Sequence, residues 1–395
     1  MTPAARVQAA IDILDIWRAG DAGLDRILAR WGRENRYAGS GDRRAIADLC
    51  YDTLRRKRSA AWVAGAGEDA AGRDLLRGTL MLSGTDLDAV FTGVHHAPAA
   101  LTELERGGRP LEDAPAAVQR DLPDWLLEMF AGYPDEVALA LRERAPVDLR
   151  VNLLKADRAS AEAALAQDGI AVVSAPLSDT ALRVGEGARK VARSAAYDDG
   201  LVEIQDAASQ AVIDMITPVP GETVLDLCAG AGGKTLAMAA RMGGTGQFLA
   251  HDIAPDRMTE LAPRSARAGV SAETIATDEL QSLAGRVDLV LVDAPCSGSG
   301  AWRRNPDAKW RLTPEGLQRL VQTQDAVLDQ AAALAAPDGR IAYMTCSLLP
   351  VENDARIAAF QSRRHNWSVL QKRQITPLDG GDGFFCVILT RINQG

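Results

Sequence analysis

The sequence predicts an α/β protein in which a doubly wound, mainly parallel sheet is preceded by a small α/β subdomain and an all-helical N-terminal bundle. Three observations predict this order. Helical periodicity occupies the first 145 residues, short strands and helices are mixed after that, and apolar strands alternate with helices from residue 222 onward. Such alternation is typical of parallel sheets that carry helices on both faces.

The first predicted domain, residues 1–145, has apolar side chains at helical spacing, with Gly, Asp and Ser between the segments. In the second, residues 146–205, "LRVNLLK", "IAVVSAPL" and "ALRV" indicate strands around one short helix. The third, residues 206–395, begins with a helix near Asp206 and contains the alternating strands. Ligands of such sheets bind beyond the carboxyl ends of the strands, so that edge is the expected site.

Composition limits the class of protein. The 395 residues carry a formal charge of −9 and contain no apolar run of bilayer length and no signal-peptide core, so we expect a cytoplasmic protein. The five cysteines are scattered and form no C-x-x-C pair, which argues against a disulfide framework, a zinc site and metal catalysis. Basic residues nevertheless cluster locally, as in "WRRNPDAKWR", and such clusters are compatible with phosphate binding or with solvated helix faces.

A glycine-rich turn follows the first strand of the third domain in "VLDLCAGAGGKT", residues 224–235. Its spacing fits neither a P-loop nor a G-x-G-x-x-G turn, and alone it indicates only a tight turn. Asp252, Asp278 and Asp293 end the next three strands. Each is compatible with a helix cap, but three around one glycine turn favour a nucleoside ligand, with Asp252 placed to bind ribose hydroxyls.

Two cysteines directly follow strands: Cys296 in "VDLVLVDAPCSGSG" and Cys346 in "GRIAYMTCSLLP". Together with the glycine turn, "RRNPDAKW" and "TCSLLPVEN", these motifs resemble the signatures of the RsmB/Sun family of RNA cytosine-5 methyltransferases. "RVNLLK", "IQDAASQ" and "DGFF" match lesser signatures, so the resemblance covers about residues 146–391. One departure is Ala231, which stands where the family commonly has proline.

The resemblance implies a class I SAM-methyltransferase fold, the cofactor S-adenosyl-L-methionine and 5-methylcytosine as the product. The helical bundle is similar to the NusB-like RNA-binding domain of the RsmB-type branch, which favours small-subunit (16S) rRNA or a small-subunit particle as the partner. A tRNA substrate and a non-catalytic RNA-binding ribosome-assembly factor are the alternatives. We expect a monomer that binds neither a membrane nor a metal ion.

Cytosine C5 is too poor a nucleophile to take a methyl group directly, whereas a thiolate added at C6 makes the ring an enamine. The resemblance assigns that nucleophile to Cys346, product release to Cys296 and a contact with ring N3 to Asp293. A free cysteine is also commonly a buried apolar side chain, which is how we interpret Cys50, Cys386 and mostly Cys228. We expect Cys346 to lie near Lys234 or the basic segment, which would favour its thiolate.

The remaining site predictions follow the same resemblance. The expected cofactor-binding residues are Cys228, Ala229, Gly230, Ala231, Gly232, Gly233, Lys234, Asp252, Arg257, Asp278 and Asp293. The expected RNA-binding residues are cations and an aromatic side chain, namely Arg150, Lys155, Trp302, Arg303, Arg304 and Lys309. For Trp302 and Trp310 the alternative is a role as core anchors.

Overall fold

The computed structural model describes residues 1–392, which fold into two units. The first unit comprises Met1–Arg144 together with Trp302–Arg311, and the second comprises residues 145–301 and 312–392. The helices are α1 (Pro3–Ala19), α2 (Leu24–Glu34), α3 (Ser40–Arg55), α4 (Lys57–Val63), α5 (Gly72–Leu82), α6 (Ala116–Gln119), α7 (Asp135–Ala140), α8 (Arg158–Gln167), α9 (Ala195–Asp198), α10 (Ala207–Ile216), α11 (Gly233–Arg241), α12 (Leu261–Ala268), α13 (Pro306–Arg311), α14 (Pro314–Leu334) and α15 (Asp354–Arg363). The strands are β1 (Asp148–Val151), β2 (Ala171–Ser174), β3 (Ala181–Glu186), β4 (Val202–Ile204), β5 (Thr223–Asp226), β6 (Gln247–Ala250), β7 (Ala272–Thr274), β8 (Val287–Asp293), β9 (Ala335–Thr345), β10 (Trp367–Ile375) and β11 (Phe384–Arg391).

The first unit is helical, as the periodicity of the N-terminal residues predicts. Its core lies between α1, α2, α3 and α5 and is filled by apolar side chains such as Ile13, Leu14 and Leu54. The segment 302–311 belongs to this unit: Trp17 Nε1 donates to the carboxylate of Asp307 at 2.5 Å, and Trp310 Nε1 donates to Leu54 O at 2.6 Å. The sequence assigned these residues to the third domain because they follow the P-C motif directly, whereas their contacts are with residues far away in the chain.

The second unit contains two sheets. The smaller is antiparallel in the order β2-β3-β1-β4, and α8 packs against it through buried Ala161 and Leu165. Asp206 caps α10 by accepting a hydrogen bond from Ala208 N at 2.8 Å, so this helix starts where the sequence predicts it.

The larger sheet has the order β10-β11-β9-β8-β5-β6-β7. The pairs formed among β9, β8, β5, β6 and β7 are parallel, whereas β11 and β10 are added antiparallel at one edge. β8 is apolar nearly throughout because helices cover both faces of a parallel sheet. The chain leaves β5 towards β6 on one side and later returns to β8 on the other, so a crevice opens beyond the carboxyl ends of β5 and β8.

Candidate active site

The two strand-end cysteines lie together. β8 and β9 are parallel neighbours with Asp293 opposite Met344, so the loops that carry Cys296 and Cys346 leave the sheet at the same edge. The two Sγ atoms are 3.4 Å apart, and both side chains are partly exposed. The sulfurs, fifty residues apart in sequence, are therefore within hydrogen-bonding distance of one another.

The two thiols are electrostatically unequal. The hydrogen bond to Cys346 is the largest cause that raises the pKa of Cys296 well above its usual range, and burial and the negative charge of Cys346 add to it. A hydrogen bond donated by one thiol to a neighbouring thiolate stabilises the ionised partner. The Cys296 thiol therefore keeps its proton beside Cys346.

A lysine from the glycine turn reaches the same place. Lys234 Nζ lies 2.6 Å from Asp293 Oδ2 and 4.9 Å from the centroid of the Phe384 ring. Burial alone lowers the pKa of Lys234, but Asp293, Cys346 and Asp226 outweigh it, so the pKa is raised and the ammonium stays charged. Cys346 is one of the groups that raise the pKa of Lys234, so the thiol lies within electrostatic range of the ammonium.

The glycine turn needs its glycines. Gly230 and Gly232 have φ angles of +50° and +78°, in the left-handed region that side chains disfavour. A Cβ on Gly232 would also lie 2.2 Å from Leu261 Cδ1. Gly230 N donates to Asp252 Oδ2 at 3.0 Å, so the carboxylate at the end of β6 fixes the turn that starts α11.

Three side chains that the sequence analysis did not select brace this turn. Gln205 Nε2 donates to Gly233 O at 3.2 Å, and Arg264 donates to Ala231 O at 2.7 Å. Arg264 is held in turn by the buried carboxylate of Glu203 at 3.0 Å. Gln205 lies inside the "IQDAASQ" motif, so a signal for it was present, whereas nothing in the local pattern marks Arg264.

The carboxylates around the turn differ in their surroundings. Asp252 is buried and lies 3.0 Å from Arg257, whereas Asp278 is exposed beyond the end of β7. Asp226 accepts a hydrogen bond from Thr235 at 2.7 Å, and burial raises its pKa to about 6. Its Oδ1 atom is buried and has no hydrogen-bond partner in the structure.

The other three cysteines differ in their burial. Cys50 and Cys386 are fully buried, and burial raises the pKa of both thiols. Cys228 is partly exposed in the glycine turn, and burial followed by nearby carboxylates raises the pKa of its thiol as well. In residues 1–392 we find no cluster of three or more Cys, His, Asp or Glu side chains that could hold a metal ion.

Two of the expected RNA contacts on β1 and after it do not agree with the structure. The side chain of Arg150 is 4% exposed and lies beside Gln210 and Asp214 of α10, because helices cover both faces of β1 and all four of its residues are buried. Lys155 is at the surface, but its ammonium donates to two backbone carbonyls, Asp199 O at 2.9 Å and Arg267 O at 2.6 Å. Arg150 is therefore too buried to contact RNA, and the ammonium of Lys155 is held by contacts within the fold.

The expected contacts in the basic segment need a similar correction. Trp302 is 1% exposed, and its ring stacks on Phe130 at 6.2 Å between centroids. Lys309 is also 1% exposed, and burial lowers its pKa to about 8. Arg303 is buried, and its carbonyl accepts a hydrogen bond from Arg55 at 2.7 Å. Of this group, Arg304 is exposed, because the segment turns inward to complete the core of the first unit.

The larger sheet, its strand order and the glycine turn beside its switch point define a methyltransferase of the class I fold. A solved structure named PH0851 has the same fold over 99% of both chains, with a TM-score of 0.78 and 22% identity. NSun6 from Pyrococcus horikoshii, solved with SFG, matches 69% of this chain and 99% of its own at a TM-score of 0.61 and 17% identity.

The chain belongs to the RsmB/F family. The family model "16S rRNA methyltransferase RsmB/F" matches residues 213–384, and a ferredoxin-like domain model of the RsmF/B-like methyltransferases matches residues 122–191. Ribosomal RNA small subunit methyltransferase B of Sodalis glossinidius is 32% identical over 82% of this chain and 77% of its own length. A probable enzyme of that name from Synechocystis is 33% identical over 63% of this chain, which covers 58% of that relative.

The cofactor of this family is S-adenosyl-L-methionine, and the residues present here fit it. Gly230 and Gly232 have no Cβ, so the backbone of the turn can come close to a ligand in the crevice. The carboxylate of Asp252 lies beside this turn.

Among residues 1–392 no helix is both long and apolar enough to cross a bilayer.

Proposed function

We propose that this protein forms 5-methylcytosine in small-subunit rRNA, with Cys346 as the nucleophile and Cys296 assisting release. The 3.4 Å contact between the two sulfurs carries the proposal, because the reaction needs one thiol bonded to the base and a second within reach of it. The names of the relatives favour small-subunit rRNA over tRNA. The Asp293, Cys296 and Cys346 set argues against a non-catalytic assembly factor.

The first step is the addition of the Cys346 thiolate to C6 of cytosine. The S–C6 bond forms, and the electron pair of the C5–C6 double bond moves towards C5 and the N3 side of the ring. Asp293 contacts N3, and the Lys234 ammonium beside it offsets the negative charge that develops there. Bound S-adenosylmethionine supplies the electrophilic methyl group that C5 takes up.

Release requires loss of the C5 proton and cleavage of the S–C6 bond. Once Cys346 is bonded to C6, its sulfur is no longer a thiolate that accepts a hydrogen bond from Cys296, so the largest cause of the raised pKa of Cys296 disappears. Cys296 then releases its proton to solvent, and the thiolate that results accepts the proton from C5. The C5–H electron pair restores the C5–C6 double bond, and Cys346 leaves as a thiolate.

The experiment uses small-subunit rRNA transcript and S-adenosylmethionine with a labelled methyl group. Cys346→Ala lowers transfer by about a thousandfold or more, as loss of a nucleophile does, while the cofactor still binds. Cys296→Ala accumulates a protein–RNA adduct that survives denaturing electrophoresis. Cys50→Ala, in the core of the first unit, serves as the control. Full turnover of Cys346→Ala would contradict the assignment, and a tRNA substrate would show as transfer to tRNA alone.

The cofactor roles of the glycine turn, Asp252, Arg257 and Asp278 are part of the same proposal. Equilibrium dialysis with the cofactor tests them, since Gly232→Ala introduces a clash with Leu261 and should abolish binding. RNA binding by the NusB-like bundle and the monomeric state remain predictions of the sequence.

A further inference from the structure

Glu352 is a fully buried carboxylate beneath the two cysteine loops, and it has no role in the reaction described so far. It follows the T-C motif by six residues and sits just before α15. Its side chain accepts four hydrogen bonds, from Ser297 N at 2.8 Å, Ser297 Oγ at 2.5 Å, Ser347 Oγ at 2.5 Å and Gln324 Nε2 at 3.0 Å.

Two of these partners are the residues that directly follow the cysteines. Ser297 comes after Cys296 and Ser347 after Cys346, so one carboxylate joins the two loops next to both sulfurs. Gln324 extends the link, because its amide also donates to Pro295 O at 2.9 Å, on the other side of Cys296. Hydrogen bonds therefore hold the residues on both sides of Cys296, namely Pro295 and Ser297.

The support continues behind the carboxylate. Tyr343 donates its hydroxyl to Glu352 O at 2.8 Å. Asn353, the next residue, donates to Ser347 O at 2.9 Å and accepts from Thr345 Oγ1 at 2.6 Å. Buried hydrogen-bond networks in which both carboxylate oxygens are bonded, as here, hold side chains in one arrangement, and a site displaced by about 1 Å commonly loses about a hundredfold in rate.

We propose that Glu352 is a positioning residue that fixes the sulfurs of Cys296 and Cys346 in register by bridging the serines that follow them. The effect of Glu352 on catalysis rests on the proposed function. Its effect on the distance between the two sulfurs can be tested in the free protein, without any substrate. Glu352 acts through Ser297 and Ser347 and touches neither the base nor the cofactor in this scheme.

The first measurement is the rate at which diamide joins the two thiols in the free protein. Diamide takes up the two electrons and two protons that the thiols lose, and mass spectrometry of peptides identifies the Cys296–Cys346 disulfide. Glu352→Ala should slow this reaction by about tenfold or more because the loops separate. Glu352→Gln keeps the shape, and the serine hydroxyls turn to accept from the amide, so its rate should stay within about threefold of the wild type.

The second measurement separates positioning from general stability. Glu352→Ala should lower kcat by about a hundredfold with an unchanged Kd for S-adenosylmethionine, and Glu352→Gln should recover most of it. Glu222→Ala is the matched control, since Glu222 is a partly buried carboxylate paired with Arg340 at 2.7 Å, at the opposite end of β5. It should change neither the disulfide rate nor kcat.

The outcomes are distinct. If Glu352→Ala forms the disulfide at the wild-type rate and keeps its kcat, the positioning role is wrong. If Glu352→Ala does not fold, Ser347→Ala removes one of the bridging hydrogen bonds, and an unchanged disulfide rate in it would overturn the inference equally. A wild-type protein that methylates no RNA would refute the proposed function, while the disulfide rates would still decide on Glu352.

Discussion

Lys234 Nζ and Asp293 Oδ2 lie 2.6 Å apart, so the first turn of α11 and the carboxyl end of β8 are joined by one ion pair. Lys234 follows the glycine turn, and Asp293 begins the loop that carries Cys296. The pair thus connects the predicted cofactor turn directly to the predicted base-binding residue. The following predictions test this connection and the packing around it.

Lys234→Met should lower kcat by about a hundredfold even at saturating S-adenosylmethionine, because it removes the cation that offsets charge on the ring. Asp293 raises the pKa of Lys234 in spite of its burial, so the ammonium stays charged at neutral pH and the pH profile of the wild type around neutrality should show no step from it. Single-turnover rates with labelled cofactor measure both effects. A Lys234→Met variant with wild-type kcat would show that the ion pair is only structural.

Asp226 should make stability depend on pH between about 4 and 6. Burial raises its pKa from 3.8 to about 6, so the folded state holds the proton more tightly than the unfolded state. Below pH 3.8 the neutral carboxyl makes its full contribution to the free energy of unfolding. This contribution is lost as the pH rises through 6. The loss is on the order of 3 kcal/mol.

The check is urea unfolding of the wild type and Asp226→Asn at several pH values from 4.5 to 7.5. The stability of the variant relative to the wild type should increase by about 2 kcal/mol over this range, because the first part of the loss occurs below pH 4.5. The amide nitrogen placed at the unpartnered oxygen position adds a cost that does not vary with pH, so the slope is diagnostic and the absolute difference is not. A constant difference would contradict a raised pKa.

Gly300→Ala should destabilise the second unit and disturb the active site together. A Cβ on Gly300 would lie 2.0 Å from Gly383 O, and Gly300 N donates to Cys346 O at 2.9 Å. Relief of that clash must move the loop beside Cys346, at a cost of about 2 kcal/mol or more. Gly316→Ala, in the first turn of α14 with ordinary contacts, should be neutral or stabilising in the same thermal unfolding assay.

Trp302→Ala should destabilise the first unit by about 3–5 kcal/mol, the usual loss for a buried tryptophan. Denaturant unfolding measures it, with Arg30→Ala, at an exposed position of α2, as the control that leaves stability unchanged. If Trp302 contacted RNA instead, Trp302→Ala would weaken RNA binding and leave the unfolding midpoint unaltered. That second result would restore the role that the sequence suggested for Trp302.

The sequence predicted the alternation of strands and helices, the fold class, the helical N-terminal region and the family, because each is written in local periodicity or in a short contiguous motif. It also placed Asp293, Cys296 and Cys346 at strand ends, which in a parallel sheet lie along one edge. The sequence could not predict that residues 302–311 pack into the first unit. Trp302 and Lys309 belong to a basic, aromatic stretch, which is typical of a surface segment. Nor could the sequence predict the burial of Arg150, whose inward face is set by the pairing of β1 with β3 and β4.

The sequence by itself thus determined which chemical groups stand at the end of each strand. Only the tertiary structure decided that two sulfurs fifty residues apart are 3.4 Å from each other and that Glu352 is buried between their loops. The physical reason is that spacing along the chain records local backbone geometry, whereas distances between loops depend on how strands pair and how buried polar groups find their partners.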